Sequence, residues 1–121
     1  MDSDDIIDLF AVFGRVSVRR MFGGFGIYAD GMMFALASAG VIYLKTDDQT
    51  SAAFEREGMG PFTYSARGRG QTSLSYWRLP DRLYDDPEEL AGWARIALAV
   101  ARRNRAAKKT TGKARRVGKG A

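Results

Sequence analysis

Arg19, Arg20 and Lys45 are the cations whose setting could do chemistry. Two stand side by side ahead of Met21-Phe22, and the third closes the apolar run Ile42-Tyr43-Leu44. Brought together they would make an anion or partner site. The plainer alternative is that one arginine pairs with a carboxylate and the other is solvated. Carboxylate pairs occur at Asp47/Asp48, Asp85/Asp86 and Glu88/Glu89. Acid–base catalysis needs two carboxyls facing one bond with separated pKa values. Each of these pairs instead falls at an expected helix start, where capping and the helix dipole already account for acids. The chain has no histidine and no cysteine. That removes thiol nucleophiles, disulfides and zinc or haem sites that depend on those ligands. Ser73, Ser75, Tyr64 and Tyr76 supply hydroxyls without an imidazole base, and a Ser–Lys pair through Lys45 is all that is left for nucleophilic chemistry. The residues argue against an enzyme, and they imply no cofactor.

The run Gly23-Gly24-Phe25-Gly26 invites comparison with a phosphate loop. Such a loop needs a helix N-terminus directly after the glycines, so that free N–H groups converge on the anion. Here Ile27-Tyr28-Ala29 and a hairpin turn follow, so the glycines read as a bend or bulge between strands. Tyr76, Trp77, Phe62 and Tyr64 raise the possibility of a stacking platform for single-stranded nucleic acid. Aromatic residues in strands more often form core or cross-strand pairs.

Charge divides the chain into two objects. Residues 1–101 hold ten Lys/Arg and all fourteen acids, a net of −4, whereas residues 102–121 hold nine Lys/Arg and no acid, a net of +9. An acidic body disfavours a nucleic-acid platform there, because phosphate attraction supplies most non-specific affinity. The basic residues Arg102, Arg103, Arg105, Lys108, Lys109, Lys113, Arg115, Arg116 and Lys119 are the feature with a direct nucleic-acid rationale, binding weakly and without sequence preference. A solubilising tail is the alternative reading.

The elements that must position these groups follow from periodicity. A helix is expected over about Ser3 to Phe13, with Ile6, Leu9, Phe10 and Phe13 on one face and Gly14 ending it. Val16 to Thr46 alternates as strands, with Asp30-Gly31 the clearest hairpin turn and Ala39-Gly40 a second. Asp47 or Asp48 starts a helix that runs to about Glu57 and stops at Gly58. Phe62 to Tyr64 and Thr72 to Leu79 read as strands around an exposed Arg67-Gly68-Arg69-Gly70 turn. Asp86-Pro87-Glu88-Glu89 opens the last helix, with Asp86 as N-cap, Pro87 at N1 and Glu89 as the reciprocal N3 partner. Its apolar face is Leu90, Trp93, Ala94, Ala97, Val100 and Ala101. Beyond Arg103 the apolar periodicity fails, and disorder is expected.

The order α-β-β-β(-β)-α-β-β-α implies a two-layer α+β fold: an antiparallel sheet of about five strands with helices on one face. Residues 1–103 form the domain and 104–121 the basic tail. At 121 residues and 45% hydrophobic, one domain can fold alone. No stretch is apolar enough to span a membrane, and the N-terminus is acidic where a secretory signal would be basic, so a cytoplasmic protein is expected.

Specific residues also resemble a known family. The run Arg19-Arg20-Met21-Phe22-Gly23-Gly24-Phe25-Gly26-Ile27-Tyr28, then Gly31-Met32-Met33-Phe34-Ala35 and Ile42-Tyr43-Leu44-Lys45, is similar to the N-terminal domain of the TfoX/Sxy family. Gly58-Met59-Gly60-Pro61-Phe62-Thr63-Tyr64, Ser73-Leu74-Ser75-Tyr76, Leu79-Pro80 and Asp86-Pro87-Glu88-Glu89-Leu90 continue the likeness in the same order. Its motif positions include Met21, Phe22, Gly23, Gly24, Gly26, Tyr28, Tyr43 and Tyr64. The resemblance implies a bacterial regulator of natural competence for DNA transformation, acting as a transcriptional co-activator beside a cyclic-AMP receptor protein. It also implies protein partners, self-association as a dimer and the same two-layer fold. Longer members add a helical C-terminal domain, and here a basic tail stands where that domain would begin.

Overall fold

Two left-handed turns set the frame. Asp30 and Gly31 take φ of 52° and 76°, and Ala39 and Gly40 take 51° and 76°, the paired positive φ of a tight hairpin. They join β2 (Gly24–Ala29) to β3 (Met32–Ser38) and β3 to β4 (Val41–Lys45), after β1 (Ser17–Met21). The computed structural model describes the backbone of residues 1–21, 23–66 and 69–120, and the side chains of 1–21, 23–63 and 75–107. Phe22, Arg67 and Gly68 therefore lie outside the described residues, as do the side chains of Tyr64, Ser73 and Leu74 and of every tail cation from Lys108 onward.

β5 (Pro61–Ala66) and β6 (Arg69–Arg78) complete one antiparallel sheet of six strands, ordered β1-β2-β3-β4-β6-β5. The expected count was about five. The four strands of the meander are all formed, and with β5 and β6 they make six.

β3 carries an extra residue opposite the Ile27/Tyr28 step of β2. The bulge lets Phe34 and Ala35 both enter the core, and it returns Met33 to the opposite face.

Helix α1 (Ser3–Leu9) is shorter than expected, because its last apolar residues wind through a turn. The Gly14 N–H donates to the Phe10 carbonyl at 2.9 Å, with Gly14 at φ 145°. Phe10 and Phe13 still face the sheet, their ring centroids 5.5 and 5.1 Å from that of Phe34. Asp2 and Asp5 form a reciprocal capping box at the start.

Asp47 accepts from the N–H groups of Gln49 and Thr50, so it caps the turn ahead of α2 (Ser51–Arg56) rather than the helix itself. Gly58, at φ 78°, closes that helix. A 3-10 turn over Asp81–Asp85 leads into α3, Pro87–Gly120. Asp86 caps α3 through the Glu89 N–H at 3.2 Å, whereas the Glu89 carboxylate goes to Arg82 and Trp93 rather than back to the cap.

Burial in α3 ends at Ala101, where the apolar pattern stops. Its backbone runs on as helix to Gly120. Ala, Lys and Arg are strong helix formers, and helical hydrogen bonds are local, so continuation needs no buried face.

Helices α1, α2 and α3 all contribute to one cluster that includes Ile6, Phe10, Phe54, Leu90 and Ala97, packed on Ile27, Ala35, Ile42 and Leu44 of the sheet. One face of the sheet is thus closed by helices, and among the described residues no helix packs on the other, here called the open face.

Candidate functional site

Strand alternation decides what the open face presents. In β4, Ile42 and Leu44 are buried under the helices, and Val41, Tyr43 and Lys45 turn the other way. The register carries that face across the sheet: Arg19 pairs with Gly26, Gly26 with Leu36, Leu36 with Tyr43, and Tyr43 with Arg78. In the next row Tyr28 pairs with Met33, and Lys45 with Tyr76.

Gly26 is the floor of this surface. A Cβ there would lie 2.8 Å from Met21 Sδ, 3.1 Å from the Tyr28 ring and 3.3 Å from Met33 Sδ, so those three side chains close over the glycine. Gly24 is a backbone contact instead, since any Cβ would collide with the Ala37 carbonyl. Gly23 sits at φ 77° in the turn before β2. The glycine run is therefore a bend feeding a strand, with no helix to present N–H groups.

Two cations lie over two phenol rings. The Arg19 guanidinium carbon is 5.1 Å from the Tyr28 centroid, and Lys45 Nζ is 4.8 Å from the Tyr76 centroid. Tyr43 and Phe62 meet edge to face at 4.8 Å on the same surface. Burial, with a smaller contribution from the Tyr28 phenol, pushes the Tyr76 hydroxyl up to about 12.

Of the three cations singled out from sequence, Arg19 and Lys45 share the open face. They stand three strands apart, about 14 Å between backbones at ordinary strand spacing. Arg20 alternates to the helix side of the edge strand, paired with Phe25, and is exposed.

The basic segment begins in contact with the body. Arg102 pairs with Asp30 in the β2–β3 turn, and Arg103 pairs with Asp47 at 3.0 Å. The Arg103 guanidinium is the main reason the Asp47 carboxyl is held below its ordinary range. Arg105 is exposed. Beside Asp47 a cleft of about 390 Å³ is lined by Thr46, Ser51, Ser75, Trp77 and Asn104, among others.

In each of the other carboxylate pairs one member has a structural partner: Asp86 caps α3, and Glu89 binds Arg82. Arg82 bridges Glu57 and Glu89, each at 2.8 Å, and Trp93 Nε1–H donates to Glu89. Among the described residues no cluster of acids is arranged to hold a metal ion. Tyr84 was not singled out from sequence, yet its hydroxyl accepts the Ile42 N–H at 2.9 Å and ties the 3-10 turn to β4. Tyr28 and Tyr43 were noted as motif positions; their place on one face with Tyr76 came from the register.

Residues 8–101 match the TfoX N-terminal domain. The chain belongs to that family. This TfoX N-terminal domain is 25% identical over 103 residues to Protein Sxy of Escherichia coli (strain K12), covering 85% of the chain and 49% of that protein. It is 28% identical over 97 residues to DNA transformation protein TfoX1 of Aliivibrio fischeri (strain ATCC 700601 / ES114), covering 80% and 46%. The chain spans about half the length of these curated relatives. The matched segment of the TfoX domain ends at Ala101, where burial in α3 also ends, and among the described residues no helix is long and apolar enough to cross a membrane.

Proposed function

We propose that this TfoX N-terminal domain is a non-enzymatic regulatory module of the competence and DNA-transformation type, working through protein contacts of its α+β body as a co-activator does. The observation that carries this reading is the family match over residues 8–101, which takes in the buried core from Phe10 to Ala101, all of it but Ile6. The relative named as a DNA transformation protein supports the biological setting. The domain acts in the cytoplasm and self-associates as a dimer.

Residues 104–121 act as a separate cationic segment that adds weak, sequence-independent DNA affinity. Supporting this, the run from Arg105 to Lys119 holds Lys and Arg with no acid. If about five of these cations reach phosphates, log K falls by roughly five for each tenfold rise in salt.

Deleting the gene from its host should change transformation frequency or competence-gene expression. Unchanged values for both would sink the regulatory reading. Sedimentation equilibrium tests the dimer, and replacing the cations from Arg105 to Lys119 by glutamine should flatten the salt dependence of duplex DNA retention.

A second reading, a site for a small organic anion, is favoured by Arg19 and Lys45 sharing one face. Ligand binding to the native state raises Tm by mass action. Millimolar citrate, phosphate and nucleotides should then raise it, and no shift with any of them retires this reading.

A further inference from the structure

None of the Asp or Glu residues lies in any of the six strands, whereas Arg19, Arg20, Lys45, Arg69 and Arg78 do. The acids sit in α1, in α2 and its approach, in the Asp30 turn, and in the Asp81–Glu89 segment. The net −4 of residues 1–101 is therefore a property of the helix layer and the turns, not of the sheet. Exposed charges more than about 8–10 Å apart are largely screened at physiological salt, so the open face does not experience the average.

What that face offers is cationic and aromatic together. Arg19 stands beside the Tyr28 ring and Lys45 beside the Tyr76 ring, at opposite sides of a surface whose middle is the half-buried Met33 and Tyr43, with Leu36 buried between them. Bases stack on aromatic rings irrespective of sequence, and guanidinium groups offer a second stacking plane. Phosphates require cations at the margin of such a platform.

We propose that the open sheet face binds single-stranded nucleic acid, its bases on the Tyr28, Tyr43 and Tyr76 side chains and its phosphates at Arg19 and Lys45. This site is distinct from the basic end of α3 and does not rest on the regulatory reading. The roughly 14 Å between the Arg19 and Lys45 strands leaves room for a short run of nucleotides between the two cations. A duplex would present phosphates but keep its bases stacked inside, so the rings select for single strands.

The test uses the full chain and fluorescence anisotropy with labelled oligothymidylate of about twelve nucleotides, compared with an abasic phosphodiester of the same length and charge. The face predicts oligothymidylate binding about 5-fold or more tighter than the abasic strand, since one stacked base is worth at least that factor. Tyr43→Leu, which keeps an apolar residue in place, should reduce the difference, and Tyr28→Leu with Tyr43→Leu should abolish most of it. Arg19→Gln with Lys45→Gln should weaken both probes, and replacement of the cations from Arg105 to Lys119 by glutamine should leave the ratio between probes intact. Circular dichroism confirms that each variant is folded, and a Tyr76→Phe variant, which retains its ring, should keep the preference. Equal binding of the two probes, or no binding once the tail cations are replaced, overturns the proposal. Displacement of oligothymidylate by polyglutamate at equal charge also overturns it, in favour of an acidic protein partner.

Discussion

Lys45 carries its ammonium 4.8 Å above the ring of Tyr76, and the two residues are directly paired between β4 and β6. The pair occupies the sheet face that no helix covers. Its phenol is half-buried, and that burial is the first cause of its raised pKa, pushed up to about 12.

A titration follows from that shift. The folded state holds the Tyr76 proton between an unfolded pKa of 10.0 and a folded one near 12. Stability from this group is complete below pH 10 and is lost as pH rises through that window. Absorbance titration at 295 nm should show Tyr76 and Tyr84 both ionising above the ordinary tyrosine value, and Tyr76→Phe should remove the step near 12 and part of the alkaline loss of stability.

The glycines on the open side of β2 make a second prediction. Gly24→Ala should destabilise more than Gly26→Ala, because the first drives a Cβ into the Ala37 carbonyl and the second meets the far ends of Met21 and Met33. Overpacking of this kind costs about 1–3 kcal/mol, with the backbone clash at or above the upper end. Urea melts of the two variants decide it, and equal midpoints would contradict the geometry.

Arg82 makes a third. Its guanidinium bridges Glu57 and Glu89 and holds both carboxyls below the ordinary glutamate range. Groups with depressed folded pKa values stabilise above the unfolded value near 4.5 and lose that contribution as pH falls through the folded values. In urea melts Arg82→Gln should therefore lower stability slightly above about pH 4.5, by little because these side chains are partly exposed and screened, and the difference should close as pH falls through the folded values.

Tyr84 makes a fourth. Replacing it with phenylalanine leaves the Ile42 N–H without the hydroxyl that accepts it at 2.9 Å. An unsatisfied, partly buried donor costs about 1–3 kcal/mol. Thermal melts of Tyr84→Phe should show that loss, and hydrogen exchange at the Ile42 amide should accelerate.

Much of this fold could be read from local chemistry. Asp30-Gly31 and Ala39-Gly40 announced their turns, Asp86-Pro87 announced α3, and Gly58 its stop, because each rule involves residues a few positions apart. Placement of the charges could not be read that way. Arg19 and Arg20 are neighbours in sequence, but strand alternation sends them to opposite faces, while Arg19 and Lys45 are brought to one face by β2 and β3 between them. The net charge of the body suggested an acidic surface throughout, since a sum cannot reveal that its acids avoid every strand. The bulge at Phe34 was hidden for a related reason: it is a mismatch between two strands, visible only once they are paired.

Side-chain footprinting with a photogenerated carbene, on the full chain with and without oligothymidylate, separates the sheet face from the tail in one measurement. Protection should centre on Arg19, Tyr28, Tyr43 and Lys45, with the helix face around Trp93 and Ile96 unchanged. Protection confined to residues 102–121 would contradict it.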